Sequence, residues 1–279
     1  MSDSRRIGLI GDPVEHSLSP FFQQPALDSL GLDIRYELWP TPLAALPGRL
    51  DDLRAGRALG ANVTVPHKEA VFAAMDDVSD LALRAGAVNT IIPRNGRLFG
   101  DNTDIHGFVV SLREREVRFE ELDAIVLGAG GAARGIVVAL LNAGVRRIHV
   151  LNRTIARAEH LAAALGDDRV RSATSNQAQA LASDAGLIVN ATSIGWQGHD
   201  LPLDPAAFCV MPPAAIAYDL TYRETPYLRA ARAAGLATID GLPMLVHQGA
   251  RSFELWTGQP APIDIMWSAA LAARAARGG

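Results

Sequence analysis

Short apolar runs alternate with longer stretches of helical spacing along nearly the whole chain. In the first part, RRIGLIGD, IRYELWP, LGANVTVP, VNTIIP and RLFGDN read as strands, and the segments near 19–31, 42–56 and 67–86 carry the spacing of helices. The helical stretch HGFVVSLREREV then opens a second series. Here DAIVLG, RRIHVLN, VRSAT, GLIVNAT and AIAYDL predict strands, with ARGIVVALLNAG and TIARAEHLAAALG as helices among them. Strands alternating with helices predict an α/β protein, and the second series has the pattern of a doubly wound, Rossmann-type parallel sheet. The pattern changes near residue 104, and PMLVHQGARSFELWTG and PIDIMWSAALAARAARGG are helical with no strand after them. The expected organisation is an N-terminal α/β domain over 1–104, completed by helices within 243–279, and a dinucleotide-binding domain over 105–242.

Composition narrows the class without identifying it. A chain of 279 residues with 49% hydrophobic content can bury a core in each of two domains. The formal charge of −4 offers no basic excess to neutralise phosphates, which argues against nucleic acid as a partner. Cys209 stands alone, so no internal disulfide forms, and MSDSRRIGLIGDP lacks the apolar core of a signal peptide. Both features favour a reducing cytoplasm, with monomer or homodimer left open. The apolar stretch over 124–145 is long enough to suggest a membrane span, but Arg134 would then lie near the bilayer centre. The seven histidines show no pair at helical ligand spacing and no cysteine cluster to join, which argues against a metal site.

The glycines inside that stretch suit a turn better. VLGAGGAARG sets Gly128, Ala129, Gly130, Gly131 and Ala132 between a strand and a helix, where bare backbone N–H groups can approach a pyrophosphate. A plain tight turn would use the same glycines; the strand before and the helix after favour a dinucleotide. At the end of the next strand, where NAD-binding folds place an acid, the chain has Asn152, Arg153 and Thr154, then Arg157. Guanidinium groups pair with a 2′-phosphate that a carboxylate would repel, so these residues favour NADP, although two solvated arginines would read alike. Asn190, Thr192 and Ser193 either cap a strand end or face the cofactor.

A nicotinamide enzyme acting on an alcohol or ketone moves a proton as well as a hydride. Polar residues able to serve it collect at predicted strand ends: Ser17 and Ser19 in EHSLSP, Thr64 and Lys68 in NVTVPHKE, Asn89 in GAVNT and Asp104 in DNTD. Pro66 cannot extend an interior strand, so Lys68 falls just past a strand end. There it is either a solvated charge opening a helix or a group aimed at a ligand. His16 beside Ser17 lacks the G-x-S-x-G turn of a nucleophilic serine.

Nine segments in order, GDPVEHSLSP, NVTVPHK, AGAVNT, GDNTD, VLGAGGAARG, NRTIARAE, NATSIG, YDLTYRETPYL and DGLPMLVHQGARSFELW, resemble the shikimate dehydrogenase family nearly end to end. The resemblance implies NADP-dependent reduction of 3-dehydroshikimate, with Lys68 as general acid/base and Asp104 as its partner. It implies that Ser17 and Ser19, helped by Tyr218, bind the substrate carboxylate, and that Thr64, Asn89 and Gln248 hold the ring hydroxyls. Gly241 and Asp80 would lie by the cofactor. Quinate or an aminoshikimate as substrate, and a sensor without turnover, are the alternatives. Ile105, Trp196 and Gln24 depart from the family's usual residues, and no role for His67 follows from the sequence.

Overall fold

A computed structural model of the chain describes residues 5–196 and 198–277. The outer ends of both terminal segments considered above, 1–4 and 278–279, lie outside the described residues with 197. The chain divides into two units, Met1–Gly107 with Leu245–Gly279, and Phe108–Met244.

The first unit carries strands β1 (Arg5–Gly11), β2 (Ile34–Pro40), β3 (Gly60–Val63), β4 (Asp77–Val78), β5 (Thr90–Arg94) and β6 (Arg97–Asp101). Its helices are α1 (Ser19–Ser29), α2 (Leu46–Arg54), α3 (Lys68–Ala74), α4 (Asp80–Ala85) and the start of α5 (Thr103–Arg113). The second unit carries β7 (Asp123–Leu127), β8 (Arg147–Leu151), β9 (Val170–Ala173), β10 (Leu187–Asn190), β11 (Ile216–Asp219) and β12 (Ala237–Ile239). Its helices are α6 (Gly131–Asn142), α7 (Ile155–Leu165), α8 (Ala178–Ala182), α9 (Ala206–Cys209) and α10 (Pro226–Ala233). The chain closes with α11 (Leu242–Thr257) and α12 (Ile263–Ala276). The division points fall within α5 and α11.

In the first unit the strand order is β2-β1-β3-β5-β6-β4. β1 runs parallel to both β2 and β3, whereas β5 is antiparallel to β3 and to β6. This mixed register brings distant segments to one edge. Asn62 faces Thr90, Thr90 faces Asp101, and Val63 faces Ile10, so the carboxyl ends of β1, β3 and β6 meet the start of β5. The last five residues of β1 are all buried, as expected of a strand covered on both faces. The core on one side runs from Trp39, Leu50 and Leu53 through Val71 and Ile91 to Leu98.

The second unit has the order β12-β11-β10-β7-β8-β9 with every pairing parallel, the doubly wound sheet expected from its sequence. The order reverses between β7 and β10, the position at which ligands collect in such sheets. The apolar stretch over 124–145 folds as part of β7, the glycine turn and α6. Among the described residues no helix is long and apolar enough to cross a membrane.

The expected single helix over 67–86 is instead α3, the short strand β4 and α4. The interruption has local causes. Met75 is extended, Asp76 accepts the Leu98 N–H at 2.7 Å, and the Ser79 hydroxyl caps α4 by accepting the Ala82 N–H at 3.2 Å. Residues 42–56 likewise begin with one 3₁₀ turn, Leu43–Ala45, before α2.

Candidate functional site

Lys68 and Asp104 meet at that shared edge of the first sheet. Thr64 leaves β3 with its N–H still bonded to Ile10 carbonyl at 2.8 Å, and the His67 N–H closes the turn on Thr64 carbonyl at 3.0 Å. His67 is fully buried, and its Nε2 lies 2.6 Å from the carbonyl of Thr41. A carbonyl only accepts, so Nε2 carries the proton and the imidazole pins the segment just before α3. Lys68 then opens α3, with its own carbonyl accepting the Val88 N–H at 3.0 Å. Asp104 sits in the first turn of α5, where the helix dipole favours a carboxylate.

Lys68 Nζ donates to Asp104 Oδ2 at 2.6 Å. The two side chains are 31% and 23% exposed, so the charged pair is held firmly yet remains open to a ligand oxygen. Ile105 is buried in the apolar core and leaves the pair intact. Gln24 has a structural account too. Its amide donates to Asp28 and to the Ile34 carbonyl and accepts the Tyr36 N–H, tying α1 to β2.

The other polar candidates of the first unit fall into two groups. Ser17 is half-buried and its hydroxyl oxygen accepts the Ser19 N–H at 3.1 Å, while Ser19 is buried. Asn89 accepts the Thr103 N–H on Oδ1 at 2.7 Å and donates from Nδ2 to Gln248 Oε1 at 3.3 Å. Thr64 is half-buried just past the end of β3, next to Val63, whose N–H donates to the Asn89 carbonyl at 2.7 Å, and Asp80 is exposed in the first turn of α4. Tyr36, Thr90, Thr103 and Ser252, which join Asn62 and Asn89 in one buried network, are not singled out as site residues by the sequence. The available signal was a polar residue inside each of two predicted strands, Asn62 in LGANVTVP and Thr90 in VNTIIP, and both are buried.

In the second unit, Gly128 follows β7 with φ +107°, a backbone that side chains rarely adopt. A Cβ there would also sit 3.1 Å from the Ala191 carbonyl and from the Thr192 methyl. Gly130, Gly131 and Ala132 are exposed at the uncapped start of α6, and a Cβ on Gly130 would meet only open space. Ala129, between Gly128 and Gly130, is half-buried. Free N–H donors beside open space fit a pyrophosphate. At the end of β8, Arg153, Thr154 and Arg157 are exposed, and Asn152 donates to the Thr154 carbonyl at 2.9 Å. Thr192 spends its hydroxyl on Asn190 Oδ1 at 2.7 Å, shaping the strand end and presenting its methyl toward Gly128. Gly241 lies against β11's exit so closely that a Cβ would fall 2.1 Å from the Leu220 carbonyl.

Tyr218 departs from expectation. Its ring is fully buried against Phe108, and its hydroxyl is bonded to Ser111 Oγ at 2.9 Å. Burial pushes the phenol's pKa up, and no surface remains for a substrate carboxylate. Tyr218 is therefore a core residue. The half-buried phenol just past the carboxyl end of β11 is Tyr222, in the same YDLTY segment. Asp219 between them is buried and pushed upward in pKa by desolvation, opposed by hydrogen bonds from Thr221, Thr225 and Asn190. Among the described residues no group of three or more His, Cys, Asp or Glu is arranged to hold a metal ion.

Three family profiles match the chain in order: Shikimate dehydrogenase substrate binding domain over 9–91, Shikimate / quinate 5-dehydrogenase over 111–195, and Shikimate 5'-dehydrogenase C-terminal domain over 241–271. The chain is 45% identical over 279 residues to the shikimate dehydrogenase (NADP(+)) of Symbiobacterium thermophilum, covering 96% of this chain and 94% of that one. It is similar to the crystal structure of shikimate 5-dehydrogenase from Thermus thermophilus in complex with NADP(H) and shikimate, at 43% identity and a TM-score of 0.86. That likeness covers 96% of this chain and 99% of the other. The quinate dehydrogenase of Corynebacterium glutamicum in complex with NAD shares the fold at 29% identity, with a TM-score of 0.87 over 96% of this chain and 99% of that one.

Proposed function

Since the chain belongs to the shikimate dehydrogenase family, we propose that it reversibly reduces 3-dehydroshikimate to shikimate with NADPH. The observation that carries this reading is the Lys68–Asp104 pair, bonded at 2.6 Å and open to a ligand. When bound, NADPH supplies the hydride. Lys68 supplies the proton to the ketone oxygen, so that C=O becomes CH–OH, and takes the proton back in the reverse direction. Asp104 accepts from Lys68 and keeps the amine aimed at that oxygen.

The remaining roles follow from chemistry and position. Ser17 and Ser19 present hydroxyls suited to a carboxylate, and Thr64, Asn89 and Gln248 supply the donors and acceptors that a ring bearing hydroxyls needs. Tyr218, a core residue, is left out of this set. Gly128, Ala129, Gly130, Gly131 and Ala132 would hold the pyrophosphate, with Thr192 and Gly241 shaping the same strand ends. Asn152, Arg153, Thr154 and Arg157 would hold the 2′-phosphate, because no carboxylate stands there to repel it. For Asp80 the family likeness is the sole support.

The likeness to a quinate dehydrogenase makes a related ring acid the second reading. Steady-state kinetics with shikimate and quinate, each with NADP and with NAD, separates the two. The proposed function requires the highest kcat/KM for shikimate with NADP. A higher value for quinate, or for NAD, contradicts it.

A further inference from the structure

Ser252 lies on α11 one turn beyond Gln248 and is fully buried. Its oxygen is where four polar groups of the first unit meet. Ser252 Oγ donates to the Gln248 carbonyl at 3.0 Å, and Asn62 Nδ2 donates to it at 3.0 Å. The hydroxyls of Thr90 and Thr103 lie 2.8 and 3.0 Å away, and both of these residues are also buried.

The single Ser252 proton goes to a carbonyl that can only accept, so toward the other groups the serine is an acceptor with two lone pairs. Asn62 takes one of them. Thr90 and Thr103 share the other; their hydroxyls lie 3.0 Å from one another, and each also reaches Asn89 Oδ1, 3.0 Å from Thr90 Oγ1 and 3.1 Å from Thr103 Oγ1. Asn89 Oδ1 thus faces donors only, including the Thr103 N–H at 2.7 Å. The amide is held with its oxygen inward and its Nδ2 toward Gln248 Oε1 at 3.3 Å. The same serine fixes α11 on the sheet, which sets where Gln248 stands.

We propose that Ser252, with Thr90, is a positioning residue for substrate recognition: it fixes the amide polarity of Asn89 and the placement of Gln248 without touching the substrate. This rests on the proposed function, in which Asn89 and Gln248 hold the ring hydroxyls. Losing the serine oxygen removes an acceptor shared by the two threonine hydroxyls and Asn62, so the hydroxyls that face Asn89 Oδ1 and Gln248 Oε1 redistribute and the recognition groups loosen while Lys68 and Asp104 keep their own contacts.

Steady-state kinetics of Ser252→Ala and of Thr90→Val, which keeps the shape of the side chain, tests this. Each is expected to raise the KM for shikimate roughly tenfold with kcat little changed, because binding common to ground and transition states is lost. The KM for NADP should stay within about twofold, since an uninvolved site keeps its affinity. Thr90→Ser, which keeps the hydroxyl, should restore most of the shikimate KM. Thermal midpoints measured alongside separate this from a general loss of stability. A lowered Tm with an unchanged shikimate KM overturns the inference, as does a parallel rise in both KM values. If the unmodified protein turns over no shikimate, the functional reading fails and takes this inference with it; normal turnover with an unaltered KM in both variants overturns this inference alone.

Discussion

At the residue scale, Lys68 was legible because Pro66 bars an interior strand from running on to it and because the surrounding motif resembles a known family; β3 in fact ends earlier, at Val63. The reason it is held in place was not legible. His67 acts through the carbonyl of Thr41, 26 positions away in sequence, and only the fold brings the two together. Tyr218 shows the opposite error. It is an aromatic residue in a matching motif, but strand β11 turns it into the core, where Phe108 and Ser111 surround it. Tyr218→Phe is accordingly expected to leave the KM for shikimate within about twofold, and to cost about 1 kcal/mol of stability through the lost hydrogen bond. Kinetics and a denaturant melt check this; a tenfold rise in that KM would restore Tyr218 to the site.

At the element scale, the glycine turn could be read in advance because strand, turn and helix each left a local signature around Gly128. The split of 67–86 could not. Its apolar spacing is continuous, and the break depends on Asp76, whose partners Leu98 and Arg54 come from β6 and α2. Those partners hold the Asp76 carboxyl below its ordinary value, first through the Leu98 N–H and then through Arg54. Because the folded value is the lower one, the stabilisation is present above the unfolded value of about 3.9 and is lost as pH falls through the folded value. Melting curves through the acid range should therefore show a shallower fall in Tm for Asp76→Asn than for the unmodified protein. Identical acid limbs would mean that Asp76 contributes nothing to the α2–β6 tie.

At the scale of the whole molecule, alternation of strands and helices was enough for the α/β class, and the all-parallel second sheet follows from its repeated strand–helix pattern. The antiparallel β5 of the first sheet was not foreseeable from periodicity, yet it shapes the candidate site. By running against β3 and β6 it gathers Lys68, Asn89 and Asp104 at one edge from segments far apart in sequence. The buried hydroxyls that orient Asn89 come from β5, α5 and α11, so no local pattern announces them. The central claim is that this edge transfers a proton through Lys68 while a nicotinamide takes or gives a hydride. Its most direct test is the near-ultraviolet absorbance of reduced nicotinamide after purified protein is mixed with NADP and shikimate. The band should grow with the unmodified protein, and Lys68→Ala should lose most of that rate, on the order of 100-fold or more, with a modest change in KM. No growth from neutral to alkaline pH with the unmodified protein, or near-normal growth with Lys68→Ala, would contradict the account.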